Sequence, residues 1–331
     1  MNIYTQLASL PTAPTGVPTP VVATIGNFDG VHLGHQGVLA EVIARARFLG
    51  GRSLAITFDP HPARVLRPDH PLPLITPLPR KLELLAATGL DATLVLPFTD
   101  ELRRMSARDF AAQVLARAAH VTEIHEGESF RFGHRAEGEV HSLETLGREL
   151  GFAVAVYSPL ILRGAPVSSS RIRALLAEGA FSKINNVSAA RALLGRPFAI
   201  DSTPAPGRGY GSRYTVPTIN LAPYADLLPA NGVYVTTLTV GSSPAAETFD
   251  AVTNVGNRPT FGADSFAVES YLLNFHPLEL TEQTPLRLTF LRRLRDERRF
   301  PSTEALRDQI ALDVTRARRY LALCRTLTPL A

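Results

Sequence analysis

Alternation between apolar runs and helical patterns is the feature of residues 21–180 that most restricts the fold. The runs VVATI, RSLAITF and DATLVLPF are each followed by a segment whose apolar residues recur at helical spacing, as in HQGVLAEVIARARFLG. Strands that are apolar on both faces and separated by helices predict a parallel sheet covered on both sides. Ligands of such sheets bind beyond the carboxyl ends of the strands, near the point where the strand order reverses.

A different pattern begins near residue 190, where short β-like runs are separated by Gly, Pro, Asn and Ser. These runs are PFAI, NGVYVTTLTV, ETFDAVTNV, FAVESYLLNF and PLRLTFLRRL. They predict an antiparallel barrel or sandwich. A terminal helix follows, with Ser302 as its cap and Leu306, Ile310, Val314 and Leu321 as its apolar face. We therefore predict an α/β chain of two domains, 1–182 with a parallel sheet and 183–331 with an antiparallel β-barrel and a terminal helix.

Charge and cysteine content limit the classes of function. The 331 residues carry a net charge of +4, which suits anionic small ligands and does not require nucleic acid. The basic stretch 291–300 includes Asp296 and Glu297 and has Phe300 as its one aromatic residue, so a solvated strand-to-helix junction is favoured over an RNA site. The single cysteine, Cys324, cannot form an internal disulfide, which predicts a reducing cytoplasm. No apolar run reaches the ~18 residues of a membrane span.

The stretch GNFDGVHLGHQ, residues 26–36, follows the first apolar run directly. Gly30 and Gly34 allow a tight turn and close approach to a ligand. The helix that begins near Gly34 directs its free N–H groups toward the loop, and His32 and His35 can donate hydrogen bonds to phosphate. These features predict a polyphosphate site that is neither a Walker loop nor a dinucleotide loop. Helix capping or core packing is the alternative role of the two histidines. A zinc site is disfavoured because no third ligand lies nearby in sequence.

The first half of the chain resembles a known family in four segments. GNFDGVHLGHQ contains the HxGH pattern of nucleotidyltransferases and, in full, resembles the FMN adenylyltransferase module of bacterial bifunctional riboflavin kinase/FAD synthetases. FDPHP (58–62), SFRFGHRAEG (129–138) and SSSRIRALLAEG (168–179) resemble further segments of that module and occur in the same order. The resemblance implies a Rossmann-like nucleotidyltransferase domain over residues 1–182.

The resemblance also implies a reaction and its residues. The FMN phosphate attacks the α-phosphorus of ATP, which gives FAD and pyrophosphate. His32 and His35 are implied as catalytic groups that stabilise the charge developing on phosphorus. The implied ATP-binding residues are Gly26, Asn27, Phe28, Asp29, His32, Gly34, His35, Ser168, Ser169 and Arg171. The implied flavin-binding residues are Asp59, Ser129, Phe130 and Phe132, and Ser129 stands where the family often has Asp or Asn.

The second half resembles the riboflavin kinase module of the same family. The matching segments are GRGYGS (207–212), PTIN (217–220), NGVY, NVGNRPTF, VESYLLNF and LRDERRF. The resemblance implies ATP binding by Gly207, Gly209, Gly211 and Thr218, and flavin binding by Arg258. It implies Mg²⁺ binding by the oxygens of Thr218 and Asn220, and Glu269 as the base that takes the proton of the ribityl hydroxyl.

The expected function is therefore ATP-dependent phosphorylation of riboflavin to FMN and adenylylation of FMN to FAD in one cytoplasmic polypeptide. The expected partners are riboflavin, FMN, FAD, ATP, ADP, pyrophosphate and Mg²⁺, without nucleic acid or membrane. Thr215, Val216 and Tyr271 depart from the kinase pattern. These departures leave open an adenylyltransferase whose barrel binds flavin without kinase activity. A flavin-sensing or nucleic-acid-binding regulator, and a nucleotidyltransferase with another phosphorylated acceptor, are further alternatives.

Overall fold

The computed structural model describes residues 1–10, 19–177, 186–205, 218–242, 244–257 and 266–327. The chain divides into two compact units, Met1–Ser169 (unit 1) and Ser170–Ala331 (unit 2). The functional boundary expected between residues 182 and 183 stays a prediction. The expected site residues that lie outside the described residues are Gly207, Gly209, Gly211 and Arg258.

Unit 1 alternates strands and helices, as its sequence pattern predicts. Its strands are β1 (Asn2–Tyr4), β2 (Val21–Ile25), β3 (Arg52–Asp59), β4 (Ala92–Pro97), β5 (Val121–Gly127), β6 (Arg131–Phe132), β7 (Gly138–Glu139), β8 (Ala153–Tyr157), β9 (Ile161–Leu162) and β10 (Ala165–Pro166). Its helices are α1 (Leu33–Phe48), α2 (Pro62–Leu66), α3 (Leu78–Ala86), α4 (Asp100–Arg104), α5 (Ala107–Phe110, continued by a wider helical segment over Ala111–Ala118) and α6 (Val140–Leu150). A further helix, α7 (Ser169–Ala177), begins at the last residue of unit 1.

Among the described residues, six strands form a parallel sheet in the order β1-β4-β3-β2-β5-β8. Successive side chains of a strand point to opposite faces. Val22 accordingly packs with Leu39 of α1, whereas Ala23 packs in a second cluster with Phe110 and Leu143. The predicted parallel sheet with helices on both faces is confirmed.

The strand order reverses between β2 and β5. Strands β3 and β4 extend the sheet on one side of β2, and β5 and β8 extend it on the other. Because β2 ends at Ile25 and β5 ends at Gly127, the loop that starts at Gly26 lies at the switch point. This is the position at which α/β sheets of this kind bind ligands.

Unit 2 consists mainly of an antiparallel sheet. Its further elements are α8 (Asn186–Leu194), β11 (Phe198–Ser202), β12 (Thr218–Asn220), β13 (Gly232–Val240), β14 (Glu247–Asn257), β15 (Phe266–Leu272), β16 (Leu286–Arg295) and α9 (Thr303–Leu327). The strands pair in the order β11-β16-β13-β14-β15-β12. A bridge between Pro204 and Leu221, just beyond β11 and β12, joins the two edges of the sheet. The predicted antiparallel barrel with a terminal helix is confirmed.

The predicted apolar face of α9 is wrong in part. Ser302 caps the helix as expected, since its hydroxyl accepts from the Ala305 N–H at 3.2 Å, and Leu321 is buried. However, the side chains of Leu306 and Ile310 are 39% and 42% exposed.

No helix in the described ranges combines the length and apolar character that a membrane span needs.

A polar network determines which face of α9 is buried. Asp313 and Gln309 are both buried, and Gln309 donates to the Asp313 carboxylate at 2.7 Å. Arg295 at the end of β16 donates to the same carboxylate at 2.8 Å. A buried ion pair with additional hydrogen bonds can fix the rotation of a helix against its sheet. Hydrophobic periodicity contains no information on such a polar contact, which explains why the apolar face of α9 was predicted incorrectly.

Candidate active sites

The loop after β2 has an unusual backbone. Phe28 and Val31 have positive φ angles of 45° and 37°, and the φ of Gly30 is 89°. Positive φ is costly for bulky and β-branched residues and persists where the surroundings impose it, often at functional sites. Here the side chains of Phe28 and Val31 are buried in the cluster beneath α1, so packing holds the loop in this shape.

Asp29 fastens the loop to the segment before α3. Its carboxylate accepts from the backbone N–H groups of Ile75 and Thr76 at 3.1 and 2.9 Å. The Thr76 hydroxyl in turn accepts from the Gly30 N–H at 2.9 Å. These contacts hold the turn of the loop at Asp29 and Gly30, whereas the ATP-binding role expected for Asp29 stays a prediction.

The two loop histidines lie face to face at the start of α1. His32 is the N-cap residue, and its Nδ1 accepts from the His35 backbone N–H at 3.3 Å. The two rings stack with centroids 3.6 Å apart. Burial, the neighbouring His32 and then Lys81 hold the pKa of His35 well below its usual value. His35 is therefore uncharged at neutral pH, and its Nδ1 has no hydrogen-bond partner among the described residues.

The Ser-rich segment approaches the same loop. The Ser169 hydroxyl donates to the Asp29 carbonyl at 2.7 Å. A Cβ placed on Gly34 would lie 3.6 Å from the Val167 carbonyl oxygen, so this segment packs against the start of α1. Ser169 is the last residue of unit 1 and the first residue of α7. The N-terminus of α1, which lies at the loop, favours an anion. Ser168 and Arg171 flank Ser169 in the chain.

Two buried ionisable groups near the loop were not expected from the sequence. Lys81 on α3 has its Nζ 3.2 Å from the Asn27 carbonyl oxygen. Glu126 at the end of β5 accepts from the Ile25 N–H at 2.6 Å, and burial raises the pKa of this carboxyl well above its usual value. Lys81 lies four residues before Leu85, on the face of α3 that packs inward, but a lysine at that spacing does not by itself indicate burial.

A cavity of about 780 Å³ opens beside the loop. It is lined by Ile25, Gly26, Asn27, Phe58, Pro62, Leu66, Phe98, Leu102, Arg103, Arg104, Met105, Phe110, Phe130, Arg131, Phe132, Gly133, His134, Arg135 and Ala136. The rings of Phe130 and Phe132 stack with centroids 5.4 Å apart. Of the expected flavin residues, Phe130 and Phe132 line the cavity, whereas Asp59 and Ser129 are exposed and do not. Gly26 and Asn27 belong to both the cavity and the loop.

In unit 2, strand register brings the expected kinase residues together. On β12 and β15, Thr218 is paired with Tyr271 and Asn220 with Glu269. Residues two apart share a face, so Thr218, Asn220 and Glu269 lie on one side of the sheet. Asn254 of β14 is paired with Glu269 from the other side, a neighbour that sequence reasoning missed. No group of three or more His, Cys, Asp or Glu suited to a metal ion occurs in the described ranges, so a metal here would rely on the hydroxyl and amide oxygens.

Comparison with known proteins gives one consistent result. The family model described as FAD synthetase matches residues 15–171, and that described as riboflavin kinase matches residues 194–321. The bifunctional riboflavin kinase/FMN adenylyltransferase of Pseudomonas fluorescens is 35% identical over 298 residues, which cover 90% of this chain and 92% of that protein. The enzyme of the same name from Escherichia coli strain K12 is 31% identical over 305 residues, which cover 92% and 94%.

Among solved structures, a crystal structure described as a macrolide-efflux protein from Streptococcus pneumoniae has a TM-score of 0.78 and 25% identity. The match covers 96% of this chain and 98% of that chain. The likeness extends over both units.

Proposed function

Because the chain belongs to the bifunctional riboflavin kinase/FMN adenylyltransferase family, we propose that its two activities reside at the two sites described above. The chain is a transferase that phosphorylates riboflavin with ATP to give FMN and ADP, and then adenylylates FMN to give FAD and pyrophosphate. Adenylylation is assigned to the loop 26–36 of unit 1. Phosphorylation is assigned to the β12–β15 face of unit 2.

The observation that carries the first assignment is the anion-binding character of the loop. It has the N-terminus of α1, the Nδ1 of His35 without a hydrogen-bond partner among the described residues, and the buried cation of Lys81. An uncharged imidazole can donate to a phosphate oxygen and become charged as the triphosphate approaches. We assign His32 and His35 to the charge that develops when an FMN phosphate oxygen bonds to the α-phosphorus of ATP and the bond to pyrophosphate breaks. Ser168, Ser169 and Arg171 are assigned to the leaving pyrophosphate, which suits the fixed charge and forked donors of arginine.

The cavity is assigned to the flavin. Its aromatic lining suits a flat, conjugated ring, and the cavity reaches Gly26 and Asn27 at the start of the loop. A flavin seated there directs its phosphate toward the triphosphate site. The reaction then depends mainly on positioning and charge stabilisation, with no covalent enzyme intermediate.

In unit 2, Glu269 is assigned as the base that accepts the proton of the ribityl hydroxyl as that oxygen attacks the γ-phosphorus of ATP. The oxygens of Thr218 and Asn220 are hard ligands on the same face and would hold Mg²⁺. When bound, Mg²⁺ neutralises charge on the phosphates. The alternative of a barrel without kinase activity is disfavoured, because the riboflavin kinase model covers residues 194–321 and the bifunctional relatives match across both units. We further propose a cytoplasmic location.

A product assay with two variants tests the assignments. Purified protein given riboflavin, ATP and Mg²⁺ should form FMN and FAD, as separated by chromatography. His32→Ala should abolish FAD formation from FMN and spare riboflavin phosphorylation, and Glu269→Ala should do the reverse. Loss of both activities in either folded variant would contradict the assignment of one activity to each unit.

A further inference from the structure

Lys81 projects from α3 into the interior beneath the histidine loop. The residue is 5% exposed. Its Nζ lies 3.1 Å from Thr57 Oγ1, 3.2 Å from the Asn27 carbonyl oxygen and 3.4 Å from the Phe58 carbonyl oxygen. Three acceptors match the three N–H donors of an ammonium group, so the site is built for the charged form. The contacts join the end of β3 to the loop after β2.

This cation has no carboxylate among its hydrogen-bond partners in the described part of the chain. Burial lowers the pKa of the Lys81 ammonium, and the charges of Asp29 and Asp59 oppose this effect only in part. The Asp29 carboxylate itself accepts from the Ile75 and Thr76 N–H groups. A buried ammonium is costly without a counter-charge and is retained where its field is used. The field of Lys81 acts on the loop where the N-terminus of α1 also favours an anion.

We propose that Lys81 is a positioning residue for adenylyl transfer, which fixes the Asn27 carbonyl and supplies a buried positive charge beneath the triphosphate site. This inference rests on the proposed placement of adenylylation at the loop. The site takes a nucleoside triphosphate, and the charge strengthens the attraction for the polyphosphate chain. It acts through the loop and through His35 and does not require contact with the substrate.

The coupling to His35 provides an independent observable. The His35 ring stacks on the His32 ring, its centroid lies 5.2 Å from that of the Phe28 ring in an edge-on arrangement, and the charge of Lys81 acts on it. The interactions with His32 and then Lys81 lower the pKa of His35, after the larger effect of burial. Removing the Lys81 charge therefore raises the pKa of His35. A structural change in α3 would raise it only by admitting water to the ring, and thermal melting of the same variant reports such a change.

The test uses full-length Lys81→Met, which keeps the length of the stem and removes the charge, and Lys81→Gln, which keeps a hydrogen-bond donor. Arg80→Met, on the neighbouring position of α3 in an ion pair with Glu83, is the matched control. FAD formation from FMN, riboflavin phosphorylation, thermal melting and the NMR titration of the His35 ring are measured for each. We expect both Lys81 variants to lower the kcat of FAD formation on the order of 100-fold. We also expect an upward shift of the His35 pKa, unchanged riboflavin phosphorylation and no effect of Arg80→Met.

Two results would overturn the proposal. One is a folded Lys81→Met enzyme whose kcat for FAD formation stays within about threefold of wild type. The other is restoration of activity by Lys81→Gln with an unchanged His35 titration, since hydrogen bonding without charge would then suffice. If Lys81→Met does not fold, Lys81→Gln decides by the same two criteria. Failure of the proposed function itself is distinguishable, because His32→Ala would then retain FAD formation.

Discussion

The candidate site of unit 1 lies in the loop that follows a strand, whereas the candidate site of unit 2 consists of side chains on paired strands. Every non-glycine residue with a positive φ in the described ranges lies in unit 1, and two of them, Phe28 and Val31, are in the histidine loop. The same unit buries Lys81 and Glu126 beside that loop. In unit 2, Thr218, Asn220 and Glu269 occupy regular strand positions set by register.

This difference follows from the two sheet types. Parallel strands bring loops and helix N-termini to one edge of the sheet, where backbone N–H groups can bind phosphate. A loop that packs closely at this edge can be held in a strained backbone conformation by the structure around it. An antiparallel barrel presents side chains on a face, where alternation alone groups residues two apart. The comparison predicts that the activity of unit 1 depends on its buried charged groups, and that the activity of unit 2 depends on the strand register that groups its side chains.

The largest expected effect tests the register of unit 2. Asn220→Ala removes an amide beside Glu269 without changing the backbone, and we expect the rate of riboflavin phosphorylation to fall about 10²- to 10³-fold. FMN adenylylation by the same protein should be unchanged. Asn231→Ala, at an exposed turn before β13, is a control for general loss of an asparagine side chain. A parallel loss of both activities in Asn220→Ala would break the separation of the two sites.

A smaller effect is expected in the flavin cavity. Phe130→Ala removes one ring of the stacked pair with Phe132, and we expect the KM for FMN in FAD formation to rise about tenfold through lost stacking. The KM for riboflavin in the kinase reaction should not change. Phe48→Ala removes a phenylalanine of the same unit that is 79% exposed and serves as the control. An unchanged KM for FMN would place the flavin outside this cavity.

Local sequence signals predicted most of the fold. Strand and helix periodicity, the Ser302 cap and the change of pattern near residue 190 all depend on residues close in the chain, and the structure agrees with each. The apolar face of α9 was predicted wrongly because its burial depends on Arg295, which lies outside the helix and pairs with Asp313. Periodicity contains no information on such a distant partner.

The candidate sites were predictable to a different degree. The loop 26–36 carries its own pattern, so His32 and His35 could be singled out before their geometry was known. Lys81 could not, because a lysine on an amphipathic helix usually faces solvent. The cavity itself was not predicted: Phe130 and Phe132 were named from the sequence as flavin-binding residues, which stays a prediction, and other lining residues come from segments as far apart as 25–27 and 98–105.

The smallest effect tests whether unit 1 depends on buried ionisable groups. The β2–β5 ladder pairs Ala23 with Ile124 and ends there, and the Ile25 N–H donates instead to the Glu126 carboxyl at 2.6 Å. Burial raises the pKa of Glu126 well above its ordinary value of 4.5, so the folded state binds a proton that the unfolded state releases. The stabilising contribution is therefore complete below about pH 4.5 and is lost as pH rises through the folded pKa. One proton sets an upper limit of about 1.4 kcal/mol per pH unit on this slope.

Glu126→Gln keeps an oxygen that can accept from the Ile25 N–H and removes the titration. We expect hydrogen exchange of the β2 peptide, compared with wild type at each pH, to show an opening free energy that falls less steeply above pH 4.5 in the variant. Glu128→Gln, an exposed carboxylate two residues further along, should leave the wild-type slope intact. If both variants had the wild-type slope, Glu126 would bind its proton equally in the folded and unfolded chain. The end of β2 would then be held without a contribution from proton binding, and the contrast between the two units would rest on the backbone strain of the loop.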